Sequence, residues 1–211
     1  PKTVRRQRQM CIRDRAQWIR KMIDFYHETA TENQIKIVNS CGFDSVPSDL
    51  GVYYIHKNIS KKNLSIKMRV TGAKGTYSGG TYASMQNIIK EAYKDREVRK
   101  SLTNPYGLNP KGQQDGLDKR DLRSVKYDKE IKSWISPFLM AGINTRIVRR
   151  SNALSNFSYG KKFQYDEAVM TGKGVKGRLN GIILSIPLIF LAAKPGSVSY
   201  THLTLPTNGL G

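Results

Sequence analysis

Cysteine and histidine are scarce in this chain, whose 211 residues include two cysteines and three histidines. Cys11 lies in a foreign-looking head, so Cys41 is the single cysteine of the rest, which excludes an internal disulfide framework there and fits a reducing compartment. The sequence also shows no set of zinc ligands. As a nucleophile, Cys41 would need a neighbouring base such as His27 or His56. Neither histidine can be placed beside it, so we interpret Cys41 as a buried thiol at the end of a strand.

Long apolar runs are missing as well. The longest, IILSIPLIFLAA at residues 182–193, has about a dozen residues and contains Pro187, which makes it too short to span a bilayer as a helix. We interpret this run as a buried core segment or a dimer interface, with a membrane anchor as the alternative. The expected location is therefore the cytoplasm, with contact to a membrane surface left open.

Acidic residues are few. The chain has 36 Lys and Arg against 16 Asp and Glu, and residues 1–15 hold six of these bases and one of these acids, so the remainder carries about +15. Such a balance suits nucleic acid, an anionic membrane surface or a phosphate-bearing ligand. Because the charge is spread along the chain and no sheet-borne aromatic RNA motif accompanies it, we do not expect a nucleic-acid partner.

Both ends of the chain look foreign to the rest. RQRQMCIRDR near the start and VSYTHLTLPTN near the end resemble translated adapter sequence, and neither continues the periodic pattern of its neighbour. We therefore exclude residues 1–15 and 197–211 from fold reasoning as non-native. Roughly 180 residues remain, enough for one domain or for one domain and a piece of another.

A helix, a strand and a second helix are predicted before residue 60. Trp18, Met22, Phe25 and Tyr26 recur at the spacing of one helix face, and this pattern fades near residue 33. The short β-branched run IKIVNSC at residues 35–41 predicts a strand that follows almost at once.

A capped helix is predicted after that strand. Asp44 or Ser45 can cap it, Pro47 suits its first turn, and Asp49 sits where the helix dipole favours an anion. This helix should run to about Asn58.

The rest of the chain alternates between strands and helices, with one long interruption rich in Asn, Pro, Gly and Asp. A loop of that length is usually functional or disordered. The order predicts an α/β layer that leads into an α+β part. The expected elements are a strand at 64–70, a helix at about 81–100, a long loop or lid at 101–121, a strand within 123–134, a helix within 138–154 and a strand within 161–172.

Two stretches could hold an anion. TGAKGTYSGGTYAS at residues 71–84 places glycines between a strand and a helix, but its spacing matches neither the dinucleotide fingerprint nor the P-loop, so turns and a cap explain it equally well. NTRIVRRSNAL places Arg146 and Arg150 on one helical face with Arg149 beside them, which suits a phosphate or carboxylate clamp as well as ordinary surface charge.

Five blocks taken together resemble the saccharopine dehydrogenase-like oxidoreductases, a group that includes the trans-acting enoyl reductases. They follow one another in family order across nearly all of residues 16–196, and the second is the most specific. The blocks are WIRKMIDFYHETA, CGFDSVPSDLGVY, SGGTYASM, SPFLMAGINTRIVRRSNAL and YGKKFQYDEAV.

The resemblance implies an N-terminal Rossmann domain that binds NAD(P), followed by an α/β substrate and dimerisation domain. The glycine-rich phosphate-binding turn of the family has no match here, so we expect an internal fragment in which most of the cofactor domain is missing. Residues 16–47 would end the Rossmann-type domain, and residues 48–196 would form an α+β substrate and dimerisation domain.

The same resemblance, with the rule that ligands bind beyond the carboxyl ends of strands, suggests a site. Gly42, Phe43, Asp44 and Ser45 would stand near the nicotinamide. The candidate substrate contacts are Thr81, Arg146 and Tyr165, no residue is assigned as proton donor, and no metal is expected.

The sequence thus predicts a piece of an NAD(P)-dependent oxidoreductase, acting on enoyl or other unsaturated lipid-linked substrates and inactive alone. Its expected partners are a small-molecule or lipid-linked substrate and a second copy in a homodimer. The alternatives are a non-catalytic membrane-surface or lipid-associated protein that reuses the fold, suggested by the charge and the apolar run, and a nucleic-acid binder, suggested by charge alone.

Overall fold

The computed structural model describes residues 16–42, 45–59, 61–72, 96 and 103–193, the last seven of these by their backbone alone. Within these residues four helices are interspersed with the four strands of one mixed sheet, so the predicted α/β class is confirmed. In chain order the elements are α1 (Ala16–Glu32), α2 (Val46–Ile59), β1 (Ser65–Val70), β2 (Lys126–Asp128), β3 (Ser133–Pro137), α3 (Ala141–Leu154), β4 (Gln164–Gly172) and α4 (Gly174–Ala193).

The strands form one mixed sheet in the order β1-β4-β3-β2. β1 runs parallel to β4, with Ile66 opposite Tyr165 and Met68 opposite Glu167, whereas β3 is antiparallel to both of its neighbours. In β1 the half-buried Ile66 and Met68 alternate with exposed residues, as predicted. The strand predicted within residues 161–172 is confirmed as β4, and the alternating Phe163, Tyr165 and Glu167 are buried on its inward side.

The single strand predicted within residues 123–134 is instead a hairpin of β2 and β3, so that prediction was wrong. Asp128 ends β2 and its Oδ1 accepts a hydrogen bond of 3.1 Å from the Glu130 backbone N–H. Lys132 adopts a left-handed φ of 51° and completes the reversal. A side chain that bonds the backbone two residues on is a common way to build such a turn.

Two apolar clusters join the helices to the sheet. In the first, Val52 of α2 and Val148 of α3 pack with three aromatic residues beside β1: Tyr159, Phe163 and Tyr165. In the second, Ala16 and Ile19 of α1 pack with Leu108 and with Ile143 of α3. α3 belongs to both clusters and therefore lies at the centre of the packing.

The predicted helix α1 is confirmed, but its buried face is not the predicted one. Ile19 is fully buried, whereas Phe25 and Tyr26 are 71% and 54% exposed. The buried residues of α1 that pack with Leu108 and Ile143 lie in its first turns, and Phe25 and Tyr26 are not part of this cluster. Helical periodicity located the helix but not the partner that would cover it.

The strand predicted at residues 35–41 is absent from the structure, and this expectation was wrong. The chain leaves α1 through Gln34 at a φ of 54°, and the Ile35 N–H returns to the Ala30 carbonyl at 2.8 Å, which is a helix-ending motif. Ile35, Ile37 and Val38 are all more than half exposed. A strand needs a neighbour to pair with, and none of the four described strands lies beside this segment.

α4 packs on the sheet through small residues, while its large apolar residues face outward. A Cβ on Gly181 would lie 2.9 Å from Val125 Cγ1, and Ser185 is 3% exposed. In contrast, Leu179, Ile183 and Leu184 are each more than half exposed, so the interpretation as a buried core segment was wrong for this face. The helix also continues past position 187. None of the described helices is both long and apolar enough to cross a bilayer.

The predicted helix at 81–100 lies outside the described residues, apart from position 96, and the long loop is confirmed where it is described. Residues 104–125 contain neither helix nor strand. The loop is nevertheless packed into the fold, because Leu108 and Asn109 are 0% and 1% exposed.

Gly160 gives a first testable prediction. Its φ is +103°, and an added Cβ would lie 2.7 Å from the Asn63 backbone nitrogen. We expect Gly160→Ala to lower the free energy of unfolding by about 2 kcal/mol or more, because the turn can move only by breaking the Asn63 contacts. Gly51→Ala in α2 is the control, since a Cβ there meets nothing within 4 Å and should stabilise by up to about 1 kcal/mol. Urea unfolding followed by circular dichroism measures both, and equal effects would contradict the clash.

Candidate functional site

A chain of buried polar side chains connects the turn before α2 with α3 and β4. Ser45 Oγ donates to Asn144 Oδ1 at 2.9 Å, and Asn144 Nδ2 donates to Glu167 Oε2 at 3.0 Å. Tyr165 donates its hydroxyl proton to Glu167 Oε1 at 2.8 Å. Ser45, Asn144, Tyr165 and Glu167 are each at most 2% exposed. We call these four residues the polar relay, and their bonds fix the Ser45 turn relative to the sheet.

Glu167 is the charged end of the polar relay. Burial raises the pKa of its carboxyl above the ordinary value of 4.5, although the hydrogen bonds from Tyr165 and Asn144 pull the pKa down. Burial and the neighbouring Glu167 raise the pKa of Tyr165 far above its ordinary value of 10.0. Tyr165 therefore stays protonated near neutral pH and acts as a donor to Glu167.

The raised pKa of Glu167 predicts a specific pH dependence of stability. The folded state binds the proton of the Glu167 carboxyl more tightly than the unfolded state does. The stability contribution of Glu167 is therefore fully present below pH 4.5, and it is lost as pH rises through the pKa that this carboxyl has in the folded state. Glu167→Gln keeps the shape and removes this titration, so its unfolding free energy should fall less than that of the unaltered chain between pH 4.5 and 8. Urea unfolding across this range tests the difference, and parallel curves would contradict it.

A groove of about 350 Å³ lies beside the polar relay, between the segment after α1, the start of α2 and the outer side of α3. Its polar residues include Ser45, Asp49 and Arg150, and its apolar walls include Ile37 and Leu154. A volume of this size is within the range of small-molecule sites.

Asp49 lies in the first turn of α2, as predicted, and lines this groove. Its Oδ2 accepts a hydrogen bond of 2.9 Å from Ser151 Oγ, and burial raises the pKa of its carboxyl. Pro47 also occupies the first turn as predicted. The Ser45 hydroxyl, which we expected to cap the helix, instead donates to Asn144.

The predicted cofactor-facing residues are only partly described. Gly42 and Ser45 lie next to the groove or in its wall, and a Cβ on Gly42 would meet nothing within 4 Å. Phe43, Asp44 and Thr81 lie outside the described residues. Cys41 is exposed, so the interpretation as a buried thiol was wrong. The expected strand that would have buried it does not form.

Tyr165 and Arg146, the other predicted substrate contacts, are both buried. Arg146 is 3% exposed and its Nη1 lies 3.0 Å from Asp121 Oδ2, while burial lowers the pKa of the guanidinium. Arg149 bonds Asp118 and the carbonyl oxygens of Pro105 and Tyr165. The arginines of α3 thus hold the long loop, and their binding of a substrate stays a prediction.

Asn144 and Glu167 were missed as functional candidates by sequence reasoning. Glu167 carried a usable signal, because it alternates with Phe163 and Tyr165 on the inward side of a predicted strand, where a carboxylate needs a partner. Asn144 carried no such signal, since one buried amide in a helix looks like any other polar position.

The opposite face of the sheet forms a charged cleft of about 530 Å³. Arg69 pairs there with Asp166 and, at 3.2 Å, with Asp128, while Lys67 pairs with Glu130. The Arg69–Asp166 pair joins the neighbouring strands β1 and β4. The other two pairs link β1 to the end of β2 and to the turn after it, so the charges of the cleft neutralise one another. No group of three or more potential metal-ligating His, Cys, Asp or Glu residues occurs in the described part of the chain, here or elsewhere.

Comparison with known proteins finds relatives that match about three quarters of the chain. The Mycobacterium tuberculosis protein named "Putative trans-acting enoyl reductase" is 39% identical over 170 residues, which are 75% of this chain and 40% of that protein. The chain is similar to trans-acting enoyl reductases. Proteins with that name from Mycobacterium bovis and Mycobacterium ulcerans are 34% and 31% identical over 74% and 73% of the chain.

This similarity confirms the enoyl reductase part of the resemblance. The chain spans about two fifths of the length of the enoyl reductases that it matches. No protein-family model matches the chain, and no solved structure matches it.

Proposed function

We propose that the chain is part of an NAD(P)-dependent oxidoreductase that reduces an enoyl group or another unsaturated, lipid-linked substrate. The observation that carries this proposal is the similarity to trans-acting enoyl reductases at 31–39% identity over about three quarters of the chain. The groove beside Ser45 supports it, because a small-molecule ligand could enter there without rearranging the packed core.

A reduced nicotinamide, when bound, supplies the hydride that the β-carbon of an enoyl group accepts, while the α-carbon takes a proton. A Cβ on Gly42 would meet nothing within 4 Å, so its backbone leaves room for a flat ring to approach. Ser45, held by Asn144, would fix the turn that carries Gly42. The part of the protein in this chain then aligns the reactants and excludes water. Phe43, Asp44 and Thr81 remain candidate contacts on the resemblance alone.

We also propose the domain division that the resemblance implies, with residues 16–47 belonging to a Rossmann-type unit and residues 48–196 to a substrate and dimerisation unit. The exposed side chains of Ile35, Ile37 and Val38 support this, because a β-branched run without a neighbour suits a strand that pairs with another part of a longer protein. The cofactor would then be held mainly by residues outside this chain.

A chimaera tests the proposed activity. Residues 16–196 replace the matching segment of the Mycobacterium tuberculosis enoyl reductase, and oxidation of NADPH is followed with a 2-enoyl thioester as substrate. We expect turnover that depends on both reactants. A folded chimaera without turnover, beside an active unaltered enzyme, would refute the proposal.

The chain alone provides the complementary measurement. Because most of the proposed cofactor domain lies elsewhere, NADPH added to the 211-residue chain should show no micromolar binding in a fluorescence titration. Micromolar binding would refute the claim that the main cofactor contacts are missing here.

A membrane-surface role is a second candidate, favoured by the outer face of α4. Its exposed Val175, Leu179 and Ile183 recur at the four-residue spacing of one helix face, and the exposed Lys173 and Lys176 are near the start of the helix in sequence. Apolar side chains beside cations suit an anionic lipid surface. Flotation of the chain with anionic vesicles at physiological salt tests this, and absence of binding would reject it.

A further inference from the structure

Two buried polar atoms of the groove have no hydrogen-bond partner among the described residues: Ser40 Oγ and Asp49 Oδ1. Both residues line the groove, and Ser40 is only 9% exposed. Leaving such atoms unpaired is costly, and native proteins rarely do so without a reason. The two atoms therefore mark a position where a ligand group would be bound.

The backbone at Ser40 supports the same conclusion. Its φ of +56° is in the left-handed region, which non-glycine residues seldom adopt. Strain of this kind persists where the surrounding structure imposes it, and it clusters at binding sites. Here the strained residue is also the one whose buried hydroxyl has no described partner.

The chemistry of the walls defines the ligand. Asp49 Oδ1 is an acceptor and a serine hydroxyl can accept, so the bound group should donate hydrogen bonds. Arg150 lines the same groove and offsets the charge of Asp49, so a neutral donor fits the balance of charge. Ile37, Val38 and Leu154 supply apolar walls for the rest of the molecule.

We infer that the groove binds a neutral amphiphile with an apolar chain and a polar end, such as a primary amide, whose N–H or O–H groups donate to Asp49 Oδ1 and Ser40 Oγ. The identification of this groove as the substrate site of an enoyl reductase rests on the proposed function. Binding of the amphiphile itself can be measured without turnover. The volume of about 350 Å³ suits a small molecule.

Calorimetry on the full chain with two matched probes tests the inference. Octanamide has the donor, and methyl octanoate has a similar chain but no donor. We expect octanamide to bind at least about ten-fold more tightly, which is the usual effect of one hydrogen bond to a charged group. Equal affinities, or no binding of octanamide at millimolar concentration, would overturn the inference whether or not the chimaera turns over.

Variants locate the binding. Ser40→Gly removes the hydroxyl at a backbone position that glycine tolerates, and Asp49→Asn replaces the carboxylate by a weaker acceptor. Each should weaken octanamide binding about ten-fold, while the exposed Asp115→Asn should leave it unchanged. Unchanged binding in both groove variants, with unfolding curves that show them folded, would overturn the assignment. Nicotinamide is the third probe, and if it bound as tightly as octanamide the apolar-chain part would be wrong.

Discussion

Replacing Arg149 by methionine is expected to lower the free energy of unfolding by about 3–5 kcal/mol, the usual effect of removing one partner from a buried ion pair. Arg149 and Asp118 have side chains that are 3% and 6% exposed. The guanidinium also donates to the carbonyl oxygens of Pro105 at 3.1 Å and Tyr165 at 2.8 Å. Methionine fills the volume but leaves the Asp118 carboxylate and two carbonyl groups without this donor.

The pH dependence of this loss separates a charge effect from a packing effect. Burial already raises the pKa of Asp118, and Arg149 is the main group that opposes the rise. Without Arg149 that pKa should rise further, so the cost of the substitution should shrink as pH falls and the carboxyl becomes protonated. Urea unfolding at pH 7 and pH 5 measures this change.

Exposed Arg123 offers a matched control for the same substitution. Arg123→Met should change the unfolding free energy by no more than about 0.5 kcal/mol. If Arg149→Met were as mild, the loop would not depend on this ion pair, and Arg149 would be free to serve as the anion clamp that its sequence context also suggested.

Local pattern predicted most of the described elements, because helical and strand periodicity need only neighbouring residues. It placed α1, α2, β1, α3 and β4 within a few residues of their bounds. Local pattern failed where a distant strand must pair with the segment for it to form a strand. Residues 35–41 have the composition of a strand but no described strand to pair with.

The candidate site shows the same division between local and distant information. The sequence predicted Ser45 and Tyr165 as site residues from the resemblance, and the structure brings both into one hydrogen-bonded chain through Asn144 and Glu167. The partner of Ser45 is 99 positions away, so no local pattern could reveal it. The sequence suited the arginines to a ligand clamp or to ordinary surface charge, yet two of them are buried and pair with carboxylates of a loop that precedes them by 25 and 31 positions.

Replacing Asn144 by alanine should have the second large effect. The residue is fully buried, and its loss removes the acceptor of Ser45 and one donor to the Glu167 carboxylate. We expect the free energy of unfolding to fall by about 2–4 kcal/mol, because a charged group and a hydroxyl both lose a partner. Asn58→Ala is the control, since among the described residues its amide bonds a carbonyl of its own helix, Tyr54 O.

A double-mutant cycle shows whether Glu167 causes this loss. If the unpaired carboxylate is the main cost, Asn144→Ala should be milder by about 1–2 kcal/mol in the Glu167→Gln background. The control pair, Asn58→Ala with Glu167→Gln, should be additive within about 0.5 kcal/mol. Additivity of the first pair would show that the loss comes from packing and from the Ser45 hydrogen bond, and not from the Glu167 carboxylate. A coupling energy between Asn144→Ala and Glu167→Gln would instead show that the buried Glu167 carboxylate makes Asn144 necessary for stability. Asn144→Ala should then also lower turnover of the chimaera at temperatures where the variant is still folded.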